Sequence, residues 1–393
     1  MTDRIPGRRL LHSPGPTPLP DEVLHAMSVQ PMDLGDARVD ANIAACEAGL
    51  RRLLGSSAAD VFFYASNGHG VWEAVVENLA APGQAVLVPG TGHFSESWAV
   101  QTEALGRTVV RTPWREGWPI DVEAVEQALR DDRGHAIQAV FAVHTDTASG
   151  VTSDIAAIRR AMAAAGHPAL LVADVVASLG AAPFAMDALG LDVAVGASQK
   201  GLMCPPGLGI VAVNARGMAA ARHNPAPRFY WDWLRRRDPL SYRKFCGTAP
   251  QNLMFGLEAA LGLIFREGLD AVHARHRLLA GLVQAAVEGW REGGALDFFS
   301  RDESCRSVSV TTIAVKGVDV DALRRIARER FQVAVAGGLG PLAGRAFRIG
   351  HLGDSNPALI LGALGGVEAA LLTLGVNVGD GGTRRAVQRL AQS

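Results

Sequence analysis

Short apolar runs rich in β-branched residues alternate with longer amphipathic stretches along this 393-residue chain, and no other feature limits its fold as much. The runs are 61–64 (VFFY), 85–88 (AVLV), 138–143 (QAVFAV), 169–173 (ALLVA), 192–195 (DVAV) and 209–213 (GIVAV). Being apolar at successive positions, they suit strands covered on both faces. Between them, 70–80 (GVWEAVVENLA), 121–130 (DVEAVEQALR) and 154–165 (DIAAIRRAMAAA) repeat apolar residues at helical spacing. The pattern predicts an α/β fold built on a mostly parallel central sheet with helices on each face. Only a short loop separates 192–195 from 209–213, so part of the sheet is expected to run antiparallel there.

Residues 257–291 read as helix almost throughout, with Gly268 as a break. Beyond them 308–315, 319–330, 333–336, 346–349 and 358–374 form a second set of strands and helices. The expected organisation is a large domain over 1–280, with an N-terminal arm over 1–25, and a smaller α+β domain over 281–393. Hydrophobic residues make up 48% and charged residues 20%, with a net charge of -1, so nothing electrostatic points to nucleic acid or an acidic membrane. Cys46, Cys204, Cys246 and Cys305 are scattered without a C-x-x-C pair, which argues against a zinc or disulfide framework and for reduced thiols in the cytoplasm. No metal site is expected. The N-terminus lacks the apolar core of a signal peptide, and no apolar run is long enough to span a bilayer.

Ligands of open α/β sheets collect at the carboxyl ends of strands, and three such ends carry unusual polar groups. Ser66-Asn67-Gly68-His69-Gly70 joins a strand to a helix; its amides could bind an anion, or Asn67 could simply cap the helix. Asp174 directly follows the apolar run 169–173, where it reads either as a cap or as a counter-ion for a cationic ring nitrogen. Lys200 lies between an apolar strand and a Pro/Gly turn, where it reads either as ion-paired or as an amine freed by desolvation to form a Schiff base. An anion site, a ring-nitrogen carboxylate and an imine-forming lysine are together what pyridoxal phosphate requires of a protein.

In these residues the chain resembles the class V, fold-type I pyridoxal-phosphate aminotransferases, and within them the alanine–glyoxylate and serine–glyoxylate group. The resemblance runs from Pro14-Gly-Pro-Thr17 through Asn67-Gly-His-Gly-Val-Trp-Glu73, His144-Thr-Asp-Thr-Ala-Ser-Gly150 and Asp174-Val-Val-Ala-Ser-Leu-Gly180. It continues in Gly196-Ala-Ser-Gln-Lys-Gly201, Pro205-Pro-Gly207, Gly337-Gly-Leu-Gly340 and Phe347-Arg-Ile-Gly-His-Leu-Gly-Asp354. It implies an enzyme that moves an amino group from a small amino acid such as alanine or serine to glyoxylate or pyruvate, in ping-pong half-reactions. It further implies that Asn67, Gly68 and His69 hold the phosphate with Gln199 nearby. Phe94 would stack on the ring, Thr147 bond its phenolic oxygen, and Arg348 clamp the substrate carboxylate. Thr248 matches a residue that reaches the phosphate of the neighbouring subunit, which implies a homodimer.

Three departures stand out. Phe245 replaces a Tyr that contacts phosphate in some relatives, Ala148 replaces a hydroxyl residue, and Asp33-Leu-Gly-Asp-Ala-Arg38 differs from the pattern expected near the substrate entrance. Two rival readings are weaker. A nicotinamide dehydrogenase lacks its fingerprint, because Gly338-Leu-Gly340 leads to a strand rather than a helix. A lyase, desulfurase or kynureninase-type outcome would keep the same coenzyme. A desulfurase, however, needs a thiol shortly before Arg348, and no Cys lies between Cys305 and Arg348.

Overall fold

The computed structural model describes residues 7–393. Its central sheet has seven strands in the order Asp60–Ser66, Gly207–Val213, Val193–Ala197, Leu170–Asp174, Ile137–Val143, Ala85–Pro89 and Thr108–Thr112. Gly207–Val213 runs antiparallel to both of its neighbours, and every other pairing is parallel. Strand alternation divides the apolar runs between two cores. Val61, Phe63, Val140, Ala142, Leu171 and Ala173 face one, while Phe62, Tyr64, Phe141, Val143, Leu170 and Val172 face the other.

Helices cover both faces, and several start on a side chain that serves an otherwise unpaired amide. Asp121, Asp154 and Asn214 accept from the backbone N–H groups of Ala124, Ala157 and Gly217. Gly268 does break the long helical segment, into Gln251–Glu267 and Leu269–Trp290. Along the second of these helices Val272 packs into the first core, and Leu279 onward packs into a third core that extends to Ala386. That third core is roofed by an antiparallel sheet ordered Leu296–Phe298, Val310–Val315, Ala346–Gly350 and Ala336–Gly337.

The arm crosses to this third core. Leu10 and Leu11 pair in parallel with Val333 and Ala334. His12, His276 and His351 are all buried in the seam that results. His12 Nδ1 lies 3.0 Å from the Gly350 carbonyl, His351 Nε2 lies 3.0 Å from Thr311 Oγ1, and the Gly353 N–H donates to His276 Nε2 at 3.1 Å.

Candidate active site

A cavity of about 170 Å³ opens at the carboxyl ends of the parallel strands, lined by Asn67, Gly68, His69, Phe94, Thr147, Asp174, Gln199 and Lys200. Eight of the ten positions expected from the sequence therefore converge on one space. A larger cavity of about 670 Å³ lies beside it, past His93, but its lining is mainly apolar and includes no lysine.

The floor follows from the sheet. Leu170–Asp174 carries Asp174 to the strand end, where burial leaves it 5% exposed. It caps no helix: its Oδ1 accepts from the Val176 N–H at 2.7 Å and its Oδ2 from Trp72 Nε1 at 2.9 Å. Burial raises its pKa to about 6; those two donors and the charge of Lys200 oppose the rise, and the charge of Asp146 adds to it. Trp72 is held in turn by stacking on Trp98, with ring centroids 5.2 Å apart, and it meets Phe94 edge-on at 6.2 Å.

Lys200 follows the strand Val193–Ala197 and its side chain is half-buried. Burial lowers its pKa to about 8, helped by the charge of Arg348 and opposed by that of Asp174. Its Nζ donates to the Pro14 carbonyl, so the arm forms one wall of the site. Only glycine fits next in that wall. Gly15 has φ +111°, and a Cβ there would lie 2.5 Å from Lys200 Cδ.

The rim is the start of the helix Gly68–Leu79, which has no acidic residue in its first turn to offset the positive end of its dipole. Asn67 does cap this helix, accepting from the N–H groups of His69 at 3.1 Å and Gly70 at 3.4 Å. The capping and anion-binding readings thus meet at the same residue. The helix start lies close over the sheet because Gly209 has no side chain; a Cβ there would meet Val71 at 2.4 Å. Gln199 Oε1 is buried without a hydrogen-bond partner, a polar atom that a ligand in this cavity would satisfy.

Arg348 is 6% exposed on the strand Ala346–Gly350. Its Nε donates to the Gly337 carbonyl at 2.8 Å and its Nη1 to the Thr147 carbonyl at 3.0 Å. Burial pulls its pKa down to about 10, opposed by the charge of Asp146 and helped by that of Arg324. A buried cation held only by carbonyls, with N–H groups to spare, suits an incoming carboxylate.

Thr248 does not line the cavity of its own chain; it is exposed in the loop before Gln251–Glu267. Phe245 is core, stacked on Phe63 at 6.2 Å, and Ala148 is fully buried. None of the four cysteines lines the cavity. Cys305 is buried, and burial raises its thiol pKa. Sequence reasoning gave no role to Trp72, Asp146 or the Pro14 carbonyl, although all three lie within blocks that carry the resemblance.

The comparisons with known proteins agree with this geometry. A family model described as aminotransferase class-V matches residues 9–342. The chain is 39% identical over 386 residues to a serine–glyoxylate aminotransferase of Methylorubrum extorquens, which covers 96% of this chain and 94% of the relative. It is 38% identical over 378 residues to an L-aspartate–glyoxylate aminotransferase of Paracoccus denitrificans, covering 95% and 94%. The crystal structure of a ureidoglycine–glyoxylate aminotransferase from Bacillus subtilis superposes with a TM-score of 0.90 at 25% identity, over 99% of this chain and 100% of that one.

Proposed function

The chain belongs to the class-V aminotransferases, fold-type I enzymes that depend on pyridoxal phosphate, and on that premise we propose that it transfers an amino group from a small amino acid to glyoxylate through Lys200. One observation carries the assignment of the site: Lys200, Asp174 and the Asn67–His69 helix start line one cavity, and Arg348 Nη1 donates to the carbonyl of Thr147, which lines the same cavity.

When bound, pyridoxal phosphate supplies an aldehyde for the amino group and a conjugated ring that delocalises the electron pair left at the substrate's α-carbon. The residues present fit it. The amides and dipole at the start of Gly68–Leu79 suit the phosphate, and Gln199 Oε1 lacks a partner without it. Asp174 offers a fixed negative charge to a protonated ring nitrogen, and its two donors hold that carboxylate in place. Phe94 supplies an aromatic face and Thr147 a hydroxyl.

Lys200 would hold the coenzyme through its Nζ, and the same amine would take the proton from the substrate's α-carbon and return it. A pKa near 8 leaves a usable share of neutral amine at physiological pH. Arg348 orients the substrate by its α-carboxylate, and burial keeps water from competing for the guanidinium.

We place the acceptor as glyoxylate because the serine–glyoxylate and aspartate–glyoxylate relatives act on it, and the donor among serine, aspartate and alanine. We assign a homodimer because exposed Thr248 adjoins a stretch in which Phe229, Tyr230, Leu240 and Tyr242 are also exposed. Four free cysteines fit a reducing cytoplasm.

The test is a donor panel. Holoenzyme is mixed with single amino acids and the coenzyme's visible band is followed. Serine, alanine or aspartate should bleach it and glyoxylate should restore it, while Lys200→Ala should bind coenzyme that borohydride cannot fix to the protein. Bleaching by cationic or bulky donors alone would overturn the substrate class.

A further inference from the structure

One buried carboxylate at the site has no part in the mechanism above. Asp146 is fully buried where the Ile137–Val143 strand runs on into the loop that carries Thr147. Its Oδ2 accepts from the Phe94 N–H at 2.9 Å and from Thr91 Oγ1 at 3.4 Å. Its Oδ1 accepts from the N–H groups of Ala148 at 2.8 Å and Ser149 at 3.2 Å. Three backbone amides and a hydroxyl thus converge on one side chain, and they come from two separate segments. Gly92 permits the approach, since a Cβ there would stand 3.0 Å from Oδ2.

Each segment carries part of the cavity wall. The first presents Phe94. The second presents Thr147, which lines the cavity and whose carbonyl holds Arg348 Nη1. Phe94 lies in the first turn of the helix His93–Ala104, and Thr147 lies in a turn between two-residue strands, so among the described residues no sheet or helix pairing ties one wall to the other. Resting on the reading of this cavity as the coenzyme site, we infer that Asp146 is a positioning residue that clamps the Phe94 turn to the Thr147 loop and so sets the spacing of the two walls.

Chemistry explains the choice of a carboxylate. All four groups facing it are donors, so the side chain must accept on both oxygens. An asparagine has the same shape but turns an NH₂ group toward N–H donors on one side, and therefore releases one of the two segments. A glutamate keeps both acceptors.

Apoprotein of wild type, D146N and D146E is titrated with pyridoxal phosphate by quenching of tryptophan fluorescence. The circular dichroism of the bound coenzyme's visible band is then read at saturation. D146N, with unchanged far-UV circular dichroism, should bind about tenfold or more weakly and lose about half its coenzyme signal per bound molecule, while D146E stays within about threefold in affinity. D146N within about twofold of wild type in affinity, with an unchanged coenzyme signal per bound molecule, overturns the inference. If D146N does not fold, D146E decides: affinity within about threefold supports the clamp, and a loss of about tenfold in a folded protein refutes it. Wild-type protein that takes up no pyridoxal phosphate would instead sink the coenzyme reading, so the two failures are distinguishable.

Discussion

Trp72→Phe isolates one hydrogen bond at the floor of the site. Phenylalanine keeps an aromatic ring against Trp98 but removes the Nε1 donor that lies 2.9 Å from Asp174 Oδ2. Asp174 is left with the Val176 N–H as its donor. A hydrogen bond to a buried charged acceptor contributes about 1.5–3 kcal/mol, and each 1.36 kcal/mol moves an ionisation midpoint by about one pH unit. The midpoint of Asp174, already raised to about 6 by burial, should therefore rise by about 1–2 more in the apoprotein. The sign follows from the partner: a protonated ring nitrogen needs the carboxylate form. Wild-type Asp174 is mostly ionised at pH 7, and the variant is about half to one-tenth ionised there, so coenzyme affinity should fall about 2–10-fold and recover by about pH 9. Titrating both apoproteins with pyridoxal phosphate from pH 6 to pH 9 measures this. Attachment to Lys200 rises with pH in both proteins, so the ratio of their affinities reports on Asp174. A ratio that does not change with pH would refute the reasoning.

Two other outcomes follow from the same geometry. Arg348→Lys loses the fork that spans the Gly337 and Thr147 carbonyls, so KM for donor and acceptor alike should rise about 10–100-fold with a smaller change in kcat; steady-state kinetics with both substrates decides. The apoprotein should also lose stability in mild acid. Burial lowers the pKa of His144 and His276 to about 4 and that of His351 to about 3, so the folded state binds fewer protons than the unfolded chain below the ordinary value of 6.5. Their contribution is complete above that pH and is lost as pH falls toward 4. Asp174, raised to about 6, and Asp146, also raised by burial, act in the opposite sense. Burial lowers His12, His69 and His273 as well, so the histidines outnumber the opposing carboxylates and stability should fall as pH falls. Urea unfolding at pH 6.5, 5.5 and 4.5 tests this, and a stability that stays level across that range would contradict it.

What the sequence revealed, and what it hid, divides by the range of the interaction. Lys200, Asp174 and Asn67 stand out because each breaks an apolar run at its carboxyl end, and that is visible within a few residues. The strand Thr108–Thr112 does not stand out, because it lies at the edge of the sheet with Thr108 and Arg111 exposed, and so has no apolar run to notice. The helix Ala37–Leu54 is rich in alanine and buries Asn42 and Cys46 along with its aliphatic residues, so its apolar stripe is faint even though Asp36 and Gly55 cap it well. That Phe245 stacks on Phe63 is likewise not legible from its neighbours in the chain. Trp72 lies 102 residues from Asp174, and nothing near it in the chain marks its indole as a donor. Asp146 is hidden for a further reason: three of its four partners are backbone amides, which leave no trace in residue types.

The backbone also joins the two ends of the reaction. Arg348, the proposed carboxylate clamp, and Lys200, the proposed proton carrier, lie on different sides of the site, and the segment 10–17 is bonded next to both. On one side this strap is tied to the third core: the His12 N–H donates to the Ala334 carbonyl at 2.8 Å, and the Gly350 N–H, two residues from Arg348, donates to the His12 carbonyl at 2.6 Å. On the other side the Thr17 N–H donates to the Gln199 carbonyl at 3.2 Å and Thr17 Oγ1 to the Lys200 carbonyl at 3.0 Å, while Pro14 accepts from Lys200 Nζ. A Cβ at Gly350 would come within 2.6 Å of the Ser13 carbonyl, so strap and strand are in direct contact. One short segment of main chain thus touches both the strand that carries Arg348 and the turn that carries Lys200. Pro14-Gly-Pro-Thr17 thereby acquires a concrete role, since its bends and its lack of a side chain at Gly15 let main-chain groups reach the lysine and the arginine's strand together.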